Sequence, residues 1–206
     1  MERDLFNNFY AIIFKRELFM EIKELITTIN KLSDSIKSTF IDSIVKIIEC
    51  AVENNKLSDK EVNRKLVKKR SDLKEKGFTG SGFYMIFNDM KIEGNCKVKY
   101  DEVEYTCVYR GQAYTTEERL KSHLFYAPNG QYECCMKIKT GDKKYNIDIE
   151  NKKLYEKNLE VETTDSFPDC NWLVIRIALP KSTKFVREMF EDAFDKKYGM
   201  PLYSDK

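Results

Sequence analysis

Hydrophobic positions in the first third of the chain recur at steps of three and four residues, and this part of the chain has no helix-breaking residue. The apolar series includes Leu18, Ile22, Leu25 and Ile29. Neither proline nor glycine occurs before Gly77. Such spacing places apolar side chains on one face of a helix. The pattern therefore predicts an all-helical region over residues 1–76, in which Ser33 or Asp34 caps the second helix.

A third helix is predicted from about Asp59 to Lys76. Ser58 and Glu61 have the spacing of a capping box, in which each side chain bonds the backbone near the other. Basic residues outnumber acidic ones in this segment, and three are candidates for contact with phosphates: Arg64, Lys68 and Lys69. Phosphate backbones attract such side chains. The alternative is a solvated helix face with local ion pairs.

The pattern changes from helical to extended after a glycine-rich linker that ends at Gly82. Apolar and alternating segments predict strands over 82–87, 91–100, 103–108 and 172–179, and a hairpin from 132–139 and 144–149. A second capping box, Thr115 and Glu118, predicts a helix from Thr116 to about Phe125. A last amphipathic helix is predicted over 184–198. The expected fold class is α+β, with a small mixed or antiparallel sheet flanked by helices in a domain spanning 77–206.

The amino-acid composition excludes some kinds of partner and site but leaves others open. Thirty-six basic and 34 acidic residues leave a net charge of +2, which neither requires nor excludes a nucleic-acid partner. The six cysteines form no Cys-x-x-Cys pair and only one histidine is present, so an ordinary zinc site is not expected. The apolar run at residues 10–14 is far shorter than the roughly 20 residues that span a bilayer. A cytoplasmic protein without a membrane partner is expected.

The only histidine, His123, follows Arg119 by one helical turn. Helical spacing puts the two side chains on one face. A guanidinium can donate to two phosphate oxygens, and an imidazole can accept a proton near neutral pH. Tyr84 and Tyr109, each near a glycine, could orient an attacking water. The alternatives are a surface arginine and histidine without a task, and tyrosines that only pack.

An ordered set of motifs surrounds these residues. Two triads precede the helix: Gly82-Phe83-Tyr84 and Tyr109-Arg110-Gly111. A late helix carries Glu191, and Pro201 follows it. The set resembles the GIY-YIG nuclease superfamily, in particular its restriction-endonuclease-like members. Arg110 stands where the family has an apolar residue, and Ser204 or Asp205 falls where its final asparagine would be.

The resemblance implies a metal-dependent endonuclease that hydrolyses DNA phosphodiester bonds at specific sites. Glu191 would hold Mg²⁺ or Mn²⁺, Tyr84 or Tyr109 would activate water, Arg119 would stabilise charge on phosphorus, and His123 would share the proton transfer. Arg110 and Lys121 are expected to contact double-stranded DNA.

Two other functions remain open from the sequence. One is a structure-specific or mobile-element nuclease of the same superfamily, and the other is a non-catalytic scaffold that binds nucleic acid. Because a duplex cut needs two reaction centres, a homodimer is also expected, with the apolar helices of residues 5–52 as its candidate interface.

Overall fold

The computed structural model describes residues 2–53, 61–74, 76–126, 136–140, 143–156 and 167–204. The chain divides into two compact units after Asp42, whereas the sequence placed a boundary near residue 76. Unit 1 is Met1–Asp42 and unit 2 is Ser43–Lys206. The fold class is α+β, as the sequence predicts.

The N-terminal region forms one helix, α1, which spans Glu2–Glu53. The break expected at Ser33 or Asp34 is absent, so that prediction is wrong. A serine or threonine inside a helix can bond a carbonyl of the preceding turn instead of capping a new one, as Thr39 does by donating to the Ser35 oxygen. Among the described residues, no helix combines the length and apolar content needed to cross a membrane.

The described residues of unit 2 form two antiparallel sheets and two α-helices besides the end of α1. Its strands are β1 (Val62–Leu66), β2 (Gly82–Asn88), β3 (Lys97–Tyr100), β4 (Val103–Ala113), β5 (Ile138–Thr140), β6 (Lys143–Asp148), β7 (Lys153–Glu156) and β8 (Trp172–Ala178). Its helices are α2 (Thr116–Leu124) and α3 (Lys184–Tyr198). The larger sheet has the strand order β1-β8-β2-β4-β3, and the smaller has the order β5-β6-β7.

The predicted third helix is wrong, because residues 62–66 of that segment form strand β1. This strand pairs with β8 in antiparallel register, from Val62 opposite Ile177 to Leu66 opposite Leu173. Pairing with a central strand outweighs the weak local preference of a lysine-rich segment. A 3₁₀ turn follows at Arg70–Lys74, and the capping box at 58–61 begins outside the described residues.

The other elements follow the sequence more closely. Strands β2 and β8 and helices α2 and α3 lie within a residue of their predicted bounds. Strand β4 continues five residues beyond its predicted end at Val108, to Ala113, and β3 is shorter than predicted. The hairpin is present as β5 and β6, with Ile138 opposite Tyr145, although residues 132–135 of the prediction lie outside the described residues.

Helices α2 and α3 pack on opposite faces of the larger sheet. Phe83 of β2 contacts Phe190 and Phe194 of α3, with ring centroids 5.9 and 6.2 Å apart. The next residue, Tyr84, contacts His123 of α2. Neighbouring side chains on a strand point to opposite faces, so the sheet separates the surroundings of these two helices.

Candidate active site

The two glycine–tyrosine triads lie side by side on neighbouring antiparallel strands. Tyr84 of β2 is directly opposite Gly111 of β4, and Ile86 is opposite Tyr109. Paired residues share a face of the sheet, so both tyrosines point toward α2. A Cβ atom on Gly111 would lie 2.6 Å from the Tyr84 hydroxyl oxygen. Glycine is therefore required here, because the Tyr84 ring crosses the strand above it.

A β-bulge sets the direction of the second triad. The register shifts between Ile86, which is opposite Tyr109, and Phe87, which is opposite Cys107. Val108 is the extra residue, and such an insertion changes which side chains face each side of a strand. Tyr109 consequently faces α2, and the next residue, Arg110, faces α3.

His123 joins the two tyrosines in one aromatic cluster. Its Nε2 atom lies 2.8 Å from the Tyr84 hydroxyl oxygen. The centroid of its ring lies 4.3 Å from that of Tyr109. His123 is fully buried and Tyr84 is 1% exposed, whereas Tyr109 is half-buried. Tyr109 is therefore the phenol of this cluster that reaches furthest toward solvent.

The histidine is neutral at physiological pH. Burial, and then the nearby charge of Arg119, lower the pKa of His123 to about 3. Free tyrosine titrates near 10, so moving a proton from a phenol of ordinary pKa to this imidazole is disfavoured by roughly 10 kcal/mol. The buried pair is thus suited to holding the Tyr84 ring in place. It is poorly suited to the proton transfer that the resemblance implies for His123.

Arg119 lies at the solvent side of the cluster. Its side chain is exposed, one turn before His123 on α2. Its effect on the His123 pKa shows that its charge is close to the imidazole. Lys121 on the same helix is paired with Glu117 and Glu118, at 2.7 and 2.8 Å. Arg119 and Tyr109 are thus the members of the predicted site that combine reactive chemistry with exposure.

The structure does not place Glu191 in this cluster. Arg110 leaves β4 on the face of α3 and lies 3.4 Å from one carboxylate oxygen of Glu191. The same guanidinium binds both carboxylate oxygens of Asp195, at 3.0 and 2.6 Å. Arg110 is 7% exposed, so its contact with DNA stays a prediction that this buried position does not favour. Two acidic residues one turn apart on α3 hold it against the sheet.

The predicted metal ligand does not fit its role in this arrangement. Burial raises the pKa of Glu191 against the opposing charge of Arg110. A guanidinium beside the carboxylate repels a divalent cation, and the sheet separates Glu191 from Tyr84 and Tyr109. A single ion could not contact this carboxylate and a phosphate held by the aromatic cluster in this arrangement.

The remaining candidates for DNA contact differ in their surroundings. Lys68 and Lys69 are exposed, and their backbone N–H groups donate to Asp72. The guanidinium of Arg64 donates to the Ala51 carbonyl oxygen, and its side chain is only partly exposed. Contact with DNA stays a prediction for these residues, and Lys68 and Lys69 are the better placed.

Two supporting contacts were not predicted from the sequence. Arg176 of β8 is buried and donates to the carbonyl oxygens of Gly77, Thr79 and Ser81, which fixes the loop before the first triad. The Ser204 hydroxyl accepts a bond from the backbone N–H of Arg110. The sequence did give one indication of the contacts of Arg176, because an arginine within an apolar strand needs polar partners.

Comparisons with models of known protein families, with curated proteins and with solved structures found no match for this chain.

Proposed function

We propose that this chain is an endonuclease that hydrolyses DNA phosphodiester bonds, and that Tyr109 and Arg119 face the reacting phosphate. The observation that carries the proposal is the aromatic cluster of Tyr84, Tyr109 and His123 with an exposed arginine beside it. The two triads on paired strands, followed by a helix with Arg119 and His123, agree with the GIY-YIG arrangement. Site-specific, restriction-like cleavage is the form of the activity that the resemblance implies.

Arg119 would bind the phosphate and the charge that develops on it. A guanidinium presents a planar fork of donors that matches two phosphate oxygens. Donors aimed at developing charge usually supply the largest catalytic term. Exposure of Arg119 on the solvent side of α2 leaves room for a nucleic-acid backbone to approach.

Tyr109 would orient the attacking water through its hydroxyl group. The ring is held against the His123 imidazole, with the centroids 4.3 Å apart. Tyr84 and His123 lie beneath it as positioning residues, because neither has the exposure needed to touch a substrate. Catalysis by oriented groups depends on geometry within fractions of an ångström, so loss of either support should misplace Tyr109.

Incubation of the protein with plasmid DNA and Mg²⁺, followed by sequencing of the ends, tests this proposal. Arg119→Ala should reduce the cleavage rate by about two to three orders of magnitude and leave DNA binding intact. Tyr109→Phe should also reduce it. Tyr114→Phe is the matched control, because Tyr114 is an exposed tyrosine on the same segment. Equal rates for Tyr109→Phe, Arg119→Ala and the control would refute the assignment.

Dependence on Mg²⁺ or Mn²⁺ belongs to the proposal through the resemblance, and Glu191 is its test. Inhibition by EDTA and loss of cleavage in Glu191→Gln, with Glu188→Gln active and both variants folded, would support a role for Glu191 and would require that this part of the fold rearranges when DNA binds. Full activity of Glu191→Gln would remove this residue from the reaction.

A non-catalytic scaffold that binds nucleic acid is the second candidate. The burial of Tyr84 and His123 and the ion pair between Arg110 and Glu191 favour it, since these contacts serve stability without chemistry. DNA binding that persists with no cleavage under any divalent cation would select this function over the first.

A further inference from the structure

An apolar stripe runs along the part of α1 that belongs to unit 1. Four aliphatic side chains on it are exposed by 44% or more: Leu25, Ile29, Leu32 and Ile36. They are spaced four, three and four residues apart, which is the 3.5-residue period of a coiled coil. Exposed apolar residues scattered singly need no explanation, but a continuous row marks a contact surface.

Isoleucine and leucine alternate regularly along the sequence positions of the stripe. In heptad notation the a positions are Ile22, Ile29 and Ile36, and the d positions are Leu18, Leu25 and Leu32. Within parallel coiled coils, β-branched residues at a with leucine at d favour two strands over higher assemblies. The next a and d positions are Ser43 and Thr39, so the stripe ends where unit 2 begins.

The positions that flank the stripe fit an identical helix. Between Leu25 and Ile36 the e and g positions hold Ile26, Thr28, Ser33 and Ser35, none of which is charged. In a parallel pair each g position faces an e position of the partner, so like charges at these two positions would repel, and none occurs in this part of the stripe. The surface opposite the stripe is exposed and polar, and it includes Thr27, Asn30, Lys31 and Asp34.

We propose that α1 forms a parallel, in-register, two-stranded coiled coil with a second copy of this chain through the exposed stripe of residues 25–36. Each isoleucine at an a position of this stripe packs against the same residue of its partner, and each leucine at a d position does likewise. The two chains leave the coiled coil at the same end, toward unit 2. This inference does not depend on the proposed hydrolysis, and either can fail alone.

Light scattering on the full chain during size-exclusion chromatography tests the association. The expected mass is twice the 24.4 kDa of one chain, across a concentration series. Ile29→Glu/Leu32→Glu should weaken association at least about a thousandfold, since it buries four like charges in the dimer. Thr27→Glu/Asn30→Glu adds the same charge to the opposite face and should remain dimeric. A monomeric or tetrameric wild type, or equal behaviour of both variants, would overturn the proposal.

Orientation is tested by an engineered disulfide. In a parallel in-register pair, Leu25→Cys places two thiols across the d layer, within the 4.4–6.8 Å Cα separation that a disulfide accepts (about 6 Å is usual). Oxidised glutathione should then link the two chains covalently. Lys23→Cys, on the outer surface, is the control for the natural cysteines and should not cross-link. No cross-link in a dimeric Leu25→Cys protein would overturn the parallel arrangement.

Discussion

Mild acid should destabilise this protein through its single histidine. His123 is buried beside Arg119, and its pKa in the folded chain is about 3, against 6.5 for the free side chain. In the unfolded chain the imidazole takes up a proton as the pH falls below about 6.5. The folded protein does not take it up until about pH 3, so acidification favours the unfolded state throughout that interval.

The size of this effect follows from the gap between the two pKa values. Each unit is equivalent to about 1.4 kcal/mol, so the stabilisation lost between pH 6.5 and pH 3 is about 5 kcal/mol. Only about 2 kcal/mol of this is lost by pH 5, before most carboxylates begin to titrate. The stability should be at its full value above about pH 7.

Urea denaturation of the wild type and of His123→Gln, from about pH 7.5 to about pH 5, measures this difference. A glutamine can still bond the Tyr84 hydroxyl but has no charge to gain, so its stability should change less with pH. The single imidazole resonance in an NMR titration gives an independent reading. A resonance that titrates near pH 6.5, or identical pH profiles of the two proteins, would refute burial as the cause of the low pKa.

Three substitutions test the packing on the two faces of the larger sheet. Gly111→Ala should destabilise the fold by about 1–3 kcal/mol in chemical denaturation, because the added methyl group displaces the Tyr84 ring. Arg110→Met should lower the unfolding free energy by about 3 kcal/mol, since it leaves two carboxylates on α3 facing each other, and adding Asp195→Asn should restore part of the loss. Arg176→Met should speed proteolysis of the loop before β2 at least severalfold, because it removes the bonds to the loop carbonyl oxygens. An unchanged rate of proteolysis would show that Arg176 does not hold this loop in place.

The sequence predicts the elements that carry strong local signals. Helix α3 has a continuous amphipathic pattern that ends at Gly199, whose φ of 78° suits a residue without a side chain. Strand β8 is an apolar run that ends before Pro180. Strand β1 has no such signal, because its basic residues acquire an extended conformation only by pairing with β8.

The candidate site was predictable only in part, for a geometric reason. Helical spacing predicted that Arg119 and His123 lie one turn apart, and both residues lie on helix α2. The bond between Tyr84 and His123 joins residues far apart in the chain and depends on how α2 packs on the sheet. Because neighbouring residues of a strand alternate between its faces, the sequence did indicate that Arg110 and Tyr109 point to opposite faces of β4. The two acidic residues on α3 were the indication that this helix lies on the face of the arginine.

The bulge at Val108 reverses which side chains of strand β4 lie on each face of the sheet. Odd-numbered residues before it face α3, as Cys107 does, and odd-numbered residues after it face α2. Deleting this one residue would join Cys107 to Tyr109, and regular alternation along the strand would leave both on the faces that they occupy now. The loss would be limited to the buried Val108 side chain and the added twist of the bulge. Deleting Arg110 would also make the pairing regular, but Tyr109 would then lie opposite Met85 and face α3. Loss of Val108 should therefore be tolerated more readily in evolution than loss of Arg110.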